Sequence, residues 1–174
     1  ATITIISIFK DIHKLDKNIF YDHKAPAGRG DIVKVKLFKK NLYLVDESYN
    51  SNPLSLKSAL KNFDMIKVDN SKKHLVLGDM TELGKYSKKL HMEIGKSINK
   101  TSLKNINVIG EHVKWIFNNL NKSKRGIVIK KKSQIIDLIK NNLNNNDYLM
   151  IKGSNSTGLN SLVNQIKTGK INAL

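Results

Sequence analysis

Five times in this 174-residue chain a short apolar run gives way to a longer segment with helical spacing, and that alternation limits the fold more than any other feature. The runs are Asn41–Val45, His74–Leu77, Ile106–Ile109, Gly126–Lys130 and Tyr148–Ile151. The predicted helices that follow them are Pro53–Phe63, Ser87–Ile98, His112–Leu120, Gln134–Leu143 and Gly158–Ile166. Strands that alternate with helices pair in parallel through right-handed crossovers, so the expected fold is a doubly wound, mostly parallel α/β sheet. A further run, Ile32–Phe38, reads as a strand that turns through Lys39-Lys40-Asn41 into the next one.

Inward-facing residues follow from the same periodicity. Leu54, Leu56, Ala59, Leu60 and Phe63 form the apolar stripe of the first helix, and Val113, Ile116, Phe117 and Leu120 that of the third. Trp115 reads as core. Asn52 suits an N-cap ahead of Pro53 at the first helical position, and Ser87 and Ser133 are the expected caps of the second and fourth helices. At the N-terminus, Thr2–Ile12 and Asp16–Phe20 read as helices, and Lys24–Gly30, with one proline and two glycines, as a linker.

The polar residues concentrate just after the strands. Asp46-Glu47-Ser48-Tyr49-Asn50-Ser51-Asn52 follows one, Gly78-Asp79-Met80-Thr81-Glu82-Leu83-Gly84 the next, Gly110-Glu111-His112 another, and Lys152-Gly153-Ser154-Asn155-Ser156-Thr157-Gly158 the last. In a parallel sheet these turns meet on one rim, where open α/β folds bind ligands. Neither glycine pair is a Walker A loop. Gly78 and Gly84 stand one residue too far apart, and Gly158 is followed by Leu159-Asn160 instead of lysine and a hydroxyl. There is no G-x-G-x-x-G fingerprint and no G-x-S-x-G, and the five histidines lack ligand spacing, so this stretch reads as having neither its own ATPase loop, nor a redox cofactor fold, nor a metal site.

Composition narrows the setting. The formal charge is +17, yet the lysines are scattered and aromatics are 6%, so neither a basic block nor a stacking platform for nucleic acid is evident. Lysine, asparagine and isoleucine together are what an AT-rich genome encodes at tolerant surface positions. The chain has no cysteine and no apolar run of about 18 residues, and its start is not a signal peptide. A soluble cytoplasmic protein is expected, and Ala1 in place of Met suggests a piece of a longer chain.

The turn sequences carry a resemblance. Asp46-Glu47-Ser48-Tyr49-Asn50-Ser51-Asn52-Pro53, Leu77-Gly78-Asp79-Met80-x-Glu82-Leu83-Gly84, Ser87 with His91 and Gly95, and Ile151-Lys152-Gly153-Ser154 stand in the order found in the C-terminal domain of the Mur ligase family. Ala25-Pro26-x-Gly28-Arg29-Gly30 is similar to the linker that leaves the family's central ATPase domain. The resemblance implies a Rossmann-like C-terminal domain at residues 30–174, preceded over residues 1–29 by the end of the central domain and the linker. It implies a monomeric three-domain enzyme of peptidoglycan synthesis. That enzyme would join D-alanyl-D-alanine to UDP-N-acetylmuramoyl-tripeptide through an acyl phosphate, with ATP and Mg held mainly by the central domain, beside an N-terminal UDP-binding domain.

By the same resemblance Arg29 faces nucleotide phosphates, and one of Asp46 and Glu47 binds the ATP ribose, with Asn50 and Asn52 alongside. Ser48, Tyr49, Gly78, Asp79, Lys152, Gly153 and Ser154 belong to the substrate cleft, with no catalytic residue and no metal ligand in this chain. Where relatives often continue with arginine this chain has Asn155. Two other readings remain open on the residues alone: a standalone α/β module for a small anion, and a basic nucleic-acid-binding domain.

Overall fold

The computed structural model describes residues 27–173 together with residues 11, 14, 16 and 18. The two expected N-terminal helices, and the linker as far as Pro26, fall outside them apart from those four positions.

Among the described residues six strands form one sheet in the order β1-β2-β6-β3-β4-β5: β1 Asp31–Leu37, β2 Lys40–Glu47, β3 Lys73–Gly78, β4 Ile106–Ile109, β5 Arg125–Ile129 and β6 Tyr148–Lys152. β1 and β2 are an antiparallel hairpin and every other pairing is parallel. Helices α1 Pro53–Asp64, α2 Ser87–Asn99, α3 Lys114–Asn118 and α4 Ser133–Asn142 make the crossovers, and α5 Leu159–Lys167 follows β6 and packs back on the sheet. The expected doubly wound, mostly parallel α/β sheet is what forms.

The alternation of side chains along the strands builds two cores. Leu42 and Leu44 of β2, with Val76, Leu149 and Ile151, meet α4 and α5 through Ile135, Ile139, Leu159, Val163 and Ile166. Val45, one residue on, joins Leu75, Leu77, Val108 and Met150 against α1, α2 and α3 through Leu60, Phe63, Ile94, Ile98 and Ile116. Burying apolar surface on both faces is what fixes the strand register, because a slip of one residue would exchange the two sets.

Several local expectations change. The second strand runs two residues past Val45, because β6 supplies ladder partners as far as Glu47, opposite Lys152. Pairing overrides the poor strand propensity of the two acids. Leu54 is 80% exposed, since in the first turn of α1 it points away from the sheet. Ser87 and Ser133 are the first residues of their helices instead of caps; the capping positions fall to Tyr86 and Lys132, neither with a side-chain bond. The third helix contracts to five residues, and Trp115 lies half-buried on it, stacked 5.1 Å from the ring of His112 rather than in the core.

Candidate functional site

The end of β2 organises the site, because two consecutive carboxylates there emerge on opposite faces of the sheet. Asp46, 2% exposed, points to the α5 side. Its Oδ1 accepts the Ser48 amide at 3.0 Å and the Ser48 hydroxyl at 2.6 Å, and its Oδ2 accepts from Lys167 Nζ at 2.6 Å. Glu47 points to the α1 side. Its Oε2 lies 3.3 Å from Lys152 Nζ, and that nitrogen also donates to the Asn50 carbonyl at 2.9 Å. Lys152 is 1% exposed. Burial lowers its pKa from the ordinary lysine value, and Glu47 offsets only part of that shift.

The four polar turns meet on one edge and are stitched together. The Ser154 amide donates to the Asp79 carbonyl at 3.0 Å, and the Ser154 hydroxyl donates to the Ser51 carbonyl at 3.2 Å while accepting from the Thr81 amide at 2.9 Å. The Asp79 carboxylate receives the amides of Glu111 at 3.0 Å and Val113 at 2.6 Å, which ties the third turn to the second and satisfies donors ahead of α3.

Two open cavities flank the pair Tyr49–Asn50. One, of about 330 Å³, is lined by Gly28, Arg29, Glu47, Asn52 and Lys152 together with Ser55, Ser58 and Asn62 of α1. The other, of about 420 Å³, is lined by Thr81, Glu82, Ser154, Asn155 and Ser156. Asn52 caps α1 by accepting the Ser55 amide at 2.9 Å, while the Ser55 hydroxyl accepts the Asn52 amide at 3.1 Å. That reciprocal box leaves the start of α1 facing the first cavity. The second cavity has one acidic wall, and its Glu82 is held at a φ of +64°, a left-handed backbone that a glutamate rarely adopts.

The linker enters beside the first cavity. Gly28 and Gly30 have φ of +80° and +94°, which lets the backbone pass close to β2. Between them the Arg29 guanidinium carbon lies 4.8 Å from the centre of the Tyr49 ring, a cation–π arrangement that holds the charge on the rim.

Of the residues the sequence pointed to, Arg29, Glu47, Tyr49, Asn50, Asn52 and Lys152 come together on the first cavity, and Ser154 on the second. Asp46 and Ser48 line a separate, smaller hollow of about 110 Å³ on the α5 side. Gly78, Asp79 and Gly153 line neither large cavity: the Asp79 carboxylate is taken up by the Glu111 and Val113 amides, and the two glycines pack closely. A Cβ on Gly78 would meet Leu159 Cδ1 at 2.7 Å, and one on Gly153 would meet the Gly78 Cα at 3.2 Å, so the two turns touch back to back. Ser55, Ser58 and Asn62 escaped the sequence reading, although their spacing of three and four residues, opposite the apolar stripe, marks a polar helix face.

His91 supports this edge from beneath. Its Nδ1 donates to the Ser87 carbonyl at 2.8 Å and its Nε2 accepts the Met80 amide at 3.3 Å, so the neutral ring bridges α2 and the turn after β3. Burial holds its pKa below the ordinary histidine value.

Residues 28–155 match the family described as Mur ligase, glutamate ligase domain. Over 164 residues, 94% of this chain and 35% of the relative, it is 28% identical to the UDP-N-acetylmuramoyl-tripeptide--D-alanyl-D-alanine ligase of Rickettsia prowazekii. It is 31% identical to the ligase of the same name from Haemophilus influenzae, across 84% of this chain and 33% of that protein. The chain thus spans about a third of the length of the curated relatives it matches. The fold superposes on the MurF ligase of Thermotoga maritima in complex with ADP with a TM-score of 0.71 at 21% identity, covering 95% of this chain and 35% of that one. A MurF from Acinetobacter baumannii gives 0.73 at 19%, with the same coverage. By its matched residues, its topology and the edge on which its polar turns meet, the chain belongs to the Mur ligase family.

Proposed function

We propose that this chain is the C-terminal domain of an ATP-dependent ligase that adds D-alanyl-D-alanine to UDP-N-acetylmuramoyl-tripeptide, with residues 30–174 forming the domain and residues 1–29 closing the preceding one. The observation that carries the reading is the gathering of Arg29, Glu47, Asn50, Asn52 and Lys152 around one cavity at the carboxyl edge of a family-matched sheet.

A carboxylate is a poor electrophile, so amide formation needs a leaving group. In the proposed reaction a tripeptide carboxylate oxygen attacks the γ-phosphorus of ATP, and ADP departs. The dipeptide amine then attacks the acyl carbon, phosphate leaves with the former carboxylate oxygen, and the amine gives up a proton. Both steps move negative charge between oxygens, and rates depend on fixed cations and on exact approach. On this reading Arg29 meets nucleotide phosphates, its planar fork matching paired oxygens. Glu47, rather than the Lys167-bound Asp46, is the acid that faces the nucleotide, with the Asn50 and Asn52 amides beside it. The hydroxyl-lined second cavity with Glu82 receives the dipeptide side, where a carboxylate suits the incoming ammonium.

Among the described residues no three His, Asp or Glu side chains gather as metal ligands. On this reading the magnesium that accompanies ATP is held mainly by the central domain. The reading carries with it a cytoplasmic monomer that works by closing on its own ATPase domain, with the UDP-binding domain beyond.

The test is ligation by the full-length protein. With the nucleotide-linked tripeptide, D-alanyl-D-alanine, ATP and magnesium, it should release ADP and phosphate and form the pentapeptide product, and residues 30–174 alone should not. A full-length protein that forms no product, or turnover by the domain alone, overturns the proposal.

A further inference from the structure

Lys167, the last residue of α5, binds two acids that come from different strands. Its Nζ lies 2.6 Å from Oδ2 of Asp31, at the start of β1, and 2.6 Å from Oδ2 of Asp46, near the end of β2. Burial disfavours its charge, but the hydrogen bonds and charges of the two carboxylates outweigh that and hold its pKa above the ordinary lysine value.

The same two acids hold the linker on either side of Arg29. The other oxygen of Asp31 accepts the Gly28 amide at 3.1 Å, and the Asp46 carbonyl accepts the Gly30 amide at 2.8 Å. Gly28 in turn accepts the Tyr49 amide through its carbonyl at 3.3 Å. The linker has no slack at this point, since a Cβ on Gly28 would lie 2.8 Å from that of Tyr49. Remove the ammonium and two carboxylates that share one nitrogen are left facing each other with nothing between their charges. Asp31, on an edge strand and partly exposed, is the one free to move, and the Gly28 amide goes with it.

The geometry points to Lys167 as a positioning residue: by clamping Asp31 to Asp46 it fixes the linker at Gly28 and Gly30 and so sets Arg29 against Tyr49 on the rim of the first cavity. The consequence for the reaction rests on the proposed function, but the clamp itself does not. Lys167 lies outside the cavity and acts only through Arg29.

The experiment uses the full-length protein with Lys167→Met, Lys167→Arg, Arg29→Ala and the double variant Arg29→Ala with Lys167→Met. Amide exchange at residues 27–31 should quicken about tenfold in Lys167→Met and return toward wild type in Lys167→Arg, since local opening sets exchange. A misplacement of about 1 Å costs rate on the order of a hundredfold, so kcat/KM for ATP should fall by about tenfold or more in Lys167→Met. In the Arg29→Ala background Lys167→Met should cost nothing further, which a general loss of stability would not produce. Unchanged linker exchange overturns the proposal, and so do losses that multiply in the double variant. Should Lys167→Met fail to fold, Asp31→Asn carries the same tests with a milder change. If wild-type full-length protein shows no ligation, the functional reading fails, and the exchange measurement decides the clamp by itself.

Discussion

Asp46 and Glu47 are adjacent on β2, yet each is neutralised by a different lysine on a different side of the sheet: Lys167 Nζ at 2.6 Å from Asp46 and Lys152 Nζ at 3.3 Å from Glu47. The two acids therefore have separable roles. Asp46→Asn weakens the fold by about 1.5 kcal/mol, because Lys167 keeps Asp31 but loses its charge-assisted bond to the buried Asp46 carboxylate. Glu47→Gln also costs stability, because it leaves the buried Lys152 ammonium without its carboxylate, and in addition it removes the acid from the first cavity. In the full-length protein, on the proposed function, it should raise the Kd for nucleotide on the order of tenfold, about 1.4 kcal/mol. Urea denaturation and nucleotide titration of both variants separate the effects. Equal loss of affinity in both would contradict the assignment of the cavity to Glu47.

Gly78→Ala should destabilise the domain without touching a ligand. The new methyl would press on Leu159 Cδ1 in a filled core, and overpacking of this kind costs about 1–3 kcal/mol. The denaturation midpoint should fall with an unchanged m-value, while kcat below the melting range stays near that of wild type. A fall in kcat with no loss of stability would instead put Gly78 in contact with substrate.

Asn52 both caps α1 and lines the first cavity. Asn52→Ala should cost about 1 kcal/mol through the lost cap, whereas Asn52→Asp retains the cap acceptor and should cost little. Adding an anion beside nucleotide phosphates should nevertheless weaken ATP binding in the Asp variant. The two substitutions thus read stability and affinity independently, and tighter ATP binding in Asn52→Asp would argue against a phosphate neighbour.

Acid should destabilise this domain through two histidines. An unfolded histidine takes up its proton near pH 6.5, but burial delays uptake by His91 and His74 in the fold, even though Asp147 lies 3.2 Å from His74 and favours its charge. Between the folded and unfolded pKa values the unfolded chain binds more protons, so stability rises with pH there and is lost on acidification below about pH 6.5, down to the lowered folded-state values. The slope is at most about 1.4 kcal/mol per pH unit for each histidine. His91→Gln, which keeps an acceptor within reach of the Met80 amide, should flatten the curve in a urea series across that range. A slope unchanged by the substitution would show that His91 does not titrate as described.

The sequence made much of this readable, and the failures have a common cause. Ile106–Ile109 forms the strand its apolar run announces, and α1 starts at Pro53 behind the cap at Asn52, because strong local signals there agree with the tertiary structure. Ser87 and Ser133 misled because a serine suits the cap and the first turn alike, and only the preceding backbone decides. Leu54 and Trp115 sit on helices whose buried arc was narrower than their apolar residues suggested. The choice between Asp46 and Glu47 depends on the phase of the strand against its neighbours, which local composition does not contain. Lys167 lies 121 residues from Asp46, and nothing near either residue announces the partner.

Among the described residues the strand latest in the chain, β6, lies between β2 and β3. A chain still on the ribosome, synthesised only as far as Asn142, must therefore hold two open strand edges apart with no ladder between them, a condition that invites wrong pairing. The cavity wall at Lys152 does not exist until that gap closes, so the domain acquires its working edge in the same event that joins its two halves.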